Sequence, residues 1–113
     1  SIVRGTTLKQ LVSMLRNAGA REIHVRVSSP PIKHPCHYGM DFPSRDELIA
    51  NNQTIQQTGK FLGVNSLGHL SLEGVRKCLN GESANFCDAC FSGNYPIRIT
   101  EGQGKLKFEK NNC

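Results

Sequence analysis

The chain has 113 residues, with 14 Lys and Arg against 9 Asp and Glu for a formal net charge of +5; 37% of it is hydrophobic and it holds no Trp. That length suits one domain or a piece of one, and the mix is that of a globular chain, neither low-complexity nor the apolar-poor composition of disorder. No apolar run approaches the roughly 20 residues of a membrane helix, and the basic residues are scattered, so an integral helical membrane protein is excluded and nucleic acid is a poor partner beside small anions such as phosphates.

The first element opens on Ser1-Ile2-Val3-Arg4-Gly5-Thr6-Thr7. Leu8, Leu11, Val12, Leu15 and Ala18 then recur with helical spacing and predict an amphipathic helix over about 7–18. Thr6 or Thr7 is the expected N-cap, its hydroxyl oxygen accepting an orphan backbone N–H, and Gly19 the expected stop. Glu22 to Ser28 alternates Ile23, Val25 and Val27 with His24 and Arg26, a half-buried strand. A helix entered through a Gly-containing turn and followed at once by a strand reads as the second half of a βαβ unit, whose first strand would precede Ser1. The sequence begins with no Met and no basic-then-apolar leader, and the expectation is a processed chain or a fragment.

Pro30, Pro31, Pro35 and Pro43 predict a long ordered loop over 29–43. Ser44-Arg45-Asp46-Glu47 and Thr54-Ile55-Gln56-Gln57 are capping boxes, the first opening a short helix to about Ala50 and the second a helix that Gly63 ends. Ser66 to Leu70 is a short strand weakened by Gly68. Ser71 caps a helix from Leu72 to about Leu79, closed by Asn80-Gly81. A loop over 81–94 and a terminal strand from Tyr95 to Thr100, with Ile97 and Ile99 on one face, complete the expected order, and the tail from Glu101 is expected to be mobile.

Two groups of residues carry chemistry. In Arg4-Gly5-Thr6-Thr7, a helix N-terminus offers unpaired N–H groups and the positive end of its dipole, Gly5 allows close approach, and the Thr hydroxyls and the Arg4 charge complete an anion seat; an ordinary Thr-capped helix is the plainer reading. Cysteines stand at 36, 78, 87, 90 and 113, an odd and uneven set that argues against a disulfide framework and for a reducing compartment, the cytoplasm. Cys87-Asp88-Ala89-Cys90 fits half of a zinc site completed by Cys36 and His34 or His37, half of an iron–sulfur site completed by Cys36 and one more cysteine, a redox dithiol, or plain structural thiols. Cys78 falls with Leu72, Val75 and Leu79 and reads as a packed thiol, and Cys113 as a free exposed one. His24 and His69 stand alone, with no nucleophile near them in sequence, and a catalytic part for either is disfavoured.

The opening seven residues resemble the end of the phosphoribosyl pyrophosphate (PRPP) motif of type I phosphoribosyltransferases. More narrowly, the chain resembles the C-terminal part of the amidophosphoribosyltransferase family. The matching stretches are Val25 to Lys33, Pro35 to Asp41, Glu47 to Ala50, Gly63 to Gly74 and Phe86 to Pro96, in the family's order. The resemblance implies an α/β fold: the C-terminal part of a type I phosphoribosyltransferase domain over 1–97, incomplete here, with a short α-rich extension and a tail over 98–113. It implies transfer of ammonia, released from glutamine by a separate half of the protein, onto PRPP to give 5-phosphoribosylamine, the first committed step of purine synthesis. On this reading Ser1, Ile2, Val3, Arg4, Gly5, Thr6 and Thr7 hold the 5′-phosphate. Cys36, Cys87 and Cys90 are three of four ligands of a 4Fe-4S cluster whose fourth ligand lies outside this chain. Mg2+ serves the parent enzyme through acidic residues also outside the chain, the parent is a homo-oligomer, and the isolated fragment is expected to be inactive. Rival readings are a small zinc module that bridges partners and a non-catalytic regulatory relative.

Overall fold

The structure is a computed structural model and describes residues 1–98. Helix α1 spans Thr6–Asn17. Its cap is Gly5 in the left-handed region at φ 77°, with no side chain capping the first turn, so neither Thr6 nor Thr7 is the N-cap; Thr6 already sits inside the helix. Gly19, at φ 95°, follows the Ala18 C-cap where a left-handed residue closes a helix.

Strands β1 (His24–Val27) and β2 (Ser66–His69) pair in parallel, with His24 opposite Ser66 and Val27 opposite His69. Parallel strands need a crossover, and residues 28–65 supply it. The Pro-rich stretch over 29–43 holds neither helix nor strand. A 3₁₀ turn, Arg45–Glu47, follows the Ser44 capping box, then the short helix α2 (Ile49–Asn52) and α3 (Ile55–Leu62). Thr54 and Gln57 exchange both bonds of the second box, and Gly63 ends α3 at φ 76°.

Ile2, Ile49 and Leu62 form the buried centre, with Leu8, Val27, Phe61, Val64 and Leu67 packed around it. The loop before α1, the helix α2 and the end of α3 therefore share one core. Asn65 fastens the far end, its side-chain oxygen accepting from the Ile23 N–H at 3.0 Å and from Arg16 at 2.6 Å.

Helix α4 spans Leu72–Cys78, capped by Ser71, whose hydroxyl accepts from the Gly74 N–H at 3.0 Å. Leu72, Val75 and Leu79 are half-buried but Cys78 is exposed, correcting its reading as a packed thiol. At 100° per residue Cys78 lies about a quarter turn off the stripe those three define. The expected loop over 81–94 holds a 3₁₀ turn, Ser83–Asn85, and a helix α5, Ala89–Ser92, so Cys90 is helical.

No strand forms over 95–98; Ile99 and Thr100 lie outside the described residues, as do the tail from Glu101 and Cys113. Pro96 has no N–H to give a ladder, and the Tyr38 hydroxyl takes up the backbone of Ile97, accepting from its N–H at 3.2 Å and donating to its carbonyl at 3.3 Å. Ile97 is consequently exposed and not on a buried face. Among the described residues no helix is long and apolar enough to cross a membrane.

Candidate functional site

Residues Ser1 to Leu8 line one open pocket of about 240 Å3. Ile2 is buried and anchors its floor, while Thr6 and Thr7 are exposed on its wall. In an α-helix the first-turn N–H groups have no intrahelical partner, and a cap side chain commonly takes one of them. Here the cap is glycine, the first turn holds no acidic residue, and among the described residues no side chain caps it. The turn therefore presents bare N–H groups, the positive end of a helix dipole and two hydroxyls to the same pocket. The plainer reading, a Thr-capped helix, does not fit this geometry.

Arg4 departs from its expected part in the anion seat. Its guanidinium turns to Glu47, with Nε at 3.0 Å and Nη2 at 2.9 Å from the same carboxylate oxygen. The other oxygen of Glu47 accepts from the Ser44 N–H at 3.2 Å and hydroxyl at 3.1 Å. Arg4 and then Ser44 hold the Glu47 carboxyl below its usual range. Glu47 was legible in sequence as a capping-box residue; its bond to Arg4, 43 positions away, was not.

The three cysteines expected as ligands share one cavity without converging on a point. Cys36, Cys87 and Cys90 all line a largely apolar cavity of about 450 Å3, with Ser1, Ser29, Ile32, Tyr38 and Tyr95 among its walls. The Lys33 and His34 N–H groups both donate to the Cys90 carbonyl, at 3.0 and 3.1 Å, tying the Pro-rich loop to the cysteine turn. Tyr95 donates its hydroxyl to the Pro35 carbonyl at 2.7 Å, and the Cys36 sulfur accepts the Tyr38 N–H at 3.4 Å. Burial pushes the Cys90 thiol up, and Cys36 and Cys87 add to the shift, as sulfurs in one enclosure would. Asp88 stands between the paired cysteines and braces the turn, its carboxylate accepting from Ser92 Oγ at 2.7 Å and Arg76 Nε at 2.9 Å; Ser92 and then Arg76 lower its pKa.

The cavity suits a thiolate-bound group in lining and donor type, and Ser29, whose hydroxyl is buried without a hydrogen-bond partner among the described residues, is one of its lining residues. Among the described residues, however, no three His, Cys, Asp or Glu side chains converge as metal ligands would. Neither His34 nor His37 lines the cavity. His37 instead packs edge-on against Tyr95 at 5.0 Å, and burial lowers the pKa of His34. His24 lies 2.9 Å from the Ser66 hydroxyl on an exposed face, and His69 bonds the Ser29 carbonyl at 3.1 Å.

No family model matches the chain. Among curated proteins it is similar to amidophosphoribosyltransferase 1, chloroplastic, of Arabidopsis thaliana, 48% identical over 101 residues, covering 89% of this chain and 18% of that protein. It is similar also to the amidophosphoribosyltransferase of Synechocystis, 47% identical over 107 residues, covering 95% of this chain and 22% of the relative. The chain thus spans about a fifth of the length of these relatives. Among solved structures, the glutamine PRPP amidotransferase of B. subtilis complexed with ADP and GMP superposes with a TM-score of 0.84 at 42% identity, over 96% of this chain and 25% of that one.

Proposed function

We infer that the chain is a portion of an amidophosphoribosyltransferase, carrying the C-terminal part of its phosphoribosyltransferase fold, and we propose that the whole protein makes 5-phosphoribosylamine from PRPP and ammonia drawn from glutamine. In that reaction nitrogen bonds to C1 of the ribose as the C1–O bond to pyrophosphate breaks, and the pyrophosphate leaves with the bonding pair. The observation that carries the proposal is the uncapped first turn of α1 above a pocket built from Ser1 to Leu8.

In the proposed site the backbone N–H groups of that turn and the hydroxyls of Thr6 and Thr7 hold the 5′-phosphate, and Ser1, Ile2, Val3 and Gly5 shape the loop. Fixing the phosphate fixes the sugar, so C1 meets the nucleophile without a search; positioning and electrostatics supply the rate. Mg2+ would offset charge on the leaving pyrophosphate, its acidic ligands lying outside this chain.

For the cysteine cavity we propose a 4Fe-4S cluster held by Cys36, Cys87 and Cys90 and a fourth cysteine outside the chain, which would tie the α5 turn to the Pro-rich loop. What supports the reading is that all three cysteines line one largely apolar cavity. The parent is read as a homo-oligomer. The proposed compartment is the cytoplasm, on the reducing-thiol argument, whereas the Arabidopsis relatives are chloroplastic.

The test is turnover by the full-length protein. Equal release of glutamate and pyrophosphate from glutamine and PRPP, with ammonia replacing glutamine, is the expected result. A full-length protein that binds PRPP yet releases no pyrophosphate with either nitrogen donor would favour the non-catalytic relative. One zinc per chain without acid-labile sulfide would overturn the cluster.

A further inference from the structure

We propose that Glu47 is a positioning residue of the phosphate loop and that Arg4 serves the loop by binding Glu47, not by touching the phosphate; this rests on the functional reading above. Three independent contacts pin the loop to one short segment. The Glu47 carboxylate takes both Arg4 donors on one oxygen and the Ser44 N–H and hydroxyl on the other. Two residues on, the Ile49 N–H donates to the Val3 carbonyl at 3.0 Å. Beneath the turn, the Ile49 side chain lies where a Cβ on Gly5 would meet it at 3.2 Å. Side-chain, backbone and packing contacts from Glu47 to Ile49 therefore grip Val3 to Gly5, the stretch that sets the direction of the bare N–H groups.

The division of labour follows from charge. An arginine free to swing into the pocket would bind phosphate as a cation; one neutralised by a carboxylate adds little net charge there. Recognition then falls to oriented N–H groups and hydroxyls, whose aim depends on the loop being held. Among the described residues Glu47 meets both Arg4 and the Ser44 cap, so removing it frees the loop side chain and loosens the segment beneath it.

The experiment uses the full-length protein and steady-state kinetics with varied PRPP and saturating ammonia, on wild type, Glu47→Ala, Glu47→Gln, Arg4→Ala and the double variant Arg4→Ala/Glu47→Ala. Glu47→Ala is expected to raise KM for PRPP by roughly threefold to tenfold with kcat held within about twofold, because the bound geometry is recovered once phosphate is seated. Arg4→Ala is expected to match it, and the double variant to be no worse than either single one. Glu47→Gln, which keeps an acceptor oxygen, should recover part of the loss, and it serves as the test should Glu47→Ala not fold. An unchanged KM in the folded variants overturns the inference. So does an Arg4→Ala effect that persists undiminished when Glu47 is already absent, the mark of an arginine on the phosphate. Wild type that consumes no PRPP overturns the functional reading instead, a result separable from turnover indifferent to Glu47.

Discussion

Gly5 takes a backbone conformation that side chains with a Cβ resist, at φ 77°, and the space its Cβ would need is held by Ile49 and Phe61. Gly5→Ala is expected to cost about 1–2 kcal/mol from the left-handed geometry alone and to raise KM for PRPP in the full-length protein, read by thermal denaturation and kinetics; an unchanged melting midpoint would contradict the placement. Glu47 gives a pH prediction. Arg4 and Ser44 lower its pKa on folding, so its contribution to stability is complete above the ordinary carboxylate range and is lost as the pH falls through the lowered value. The melting difference between wild type and Glu47→Gln should be greatest near neutral pH and close in acid; a difference constant across that window would contradict it. Both partners are about half exposed, at 53% and 49%, so salt should shrink the difference too. The chemistry of single residues was only partly legible in the sequence. Gly5 and the Thr pair pointed to an anion seat, but the partner of Arg4 is a tertiary contact that no local pattern encodes.

The elements that sequence fixed most firmly are those with reciprocal end signals. Helix α3 lies between the Thr54/Gln57 box and Gly63 as its spacing predicts, and β1 and β2 fall inside their expected ranges. The elements around the cysteines were not legible, because α5 is a single turn held by Asp88, Ser92 and Gly93 and has no periodicity to read. The apolar stripe of α1 was correctly seen, yet of its members Val12 is buried while Leu11 and Leu15 stand 50% and 44% exposed. Amphipathic spacing announces which face seeks cover and not what covers it. Leu62, at the end of α3, sits in the same buried cluster as Ile2 and Ile49. Leu62→Ala should destabilise by about 2–5 kcal/mol through lost burial and a residual cavity, measured by denaturant unfolding, and should also weaken PRPP binding because the floor of the loop moves. Loss of stability with binding unchanged would show that the loop holds its shape without that core.

At the scale of the molecule, two regions distant in sequence share a wall. Ser1 lines both the phosphate-loop pocket and the cysteine cavity. The sequence singled out Cys36, Cys87 and Cys90 through resemblance, but the cavity that all three line depends on Tyr38, Tyr95 and the bonds to the Cys90 carbonyl, which spacing does not reveal. Cys36→Ser in the full-length protein is expected to abolish bound iron and acid-labile sulfide; full retention of both would remove Cys36 from the ligand set. The 113-residue chain alone is expected to show no turnover, since the acidic Mg2+ ligands and the ammonia source are proposed to lie outside it. The central claim is that the bare first turn of α1 seats the sugar's terminal phosphate. Calorimetric titration of PRPP into the full-length protein, wild type against Thr6→Val/Thr7→Val, tests it most directly. The wild type should bind and the variant bind about tenfold or more weakly, the lost hydroxyl donors having no substitute; equal affinity in both would place the phosphate elsewhere.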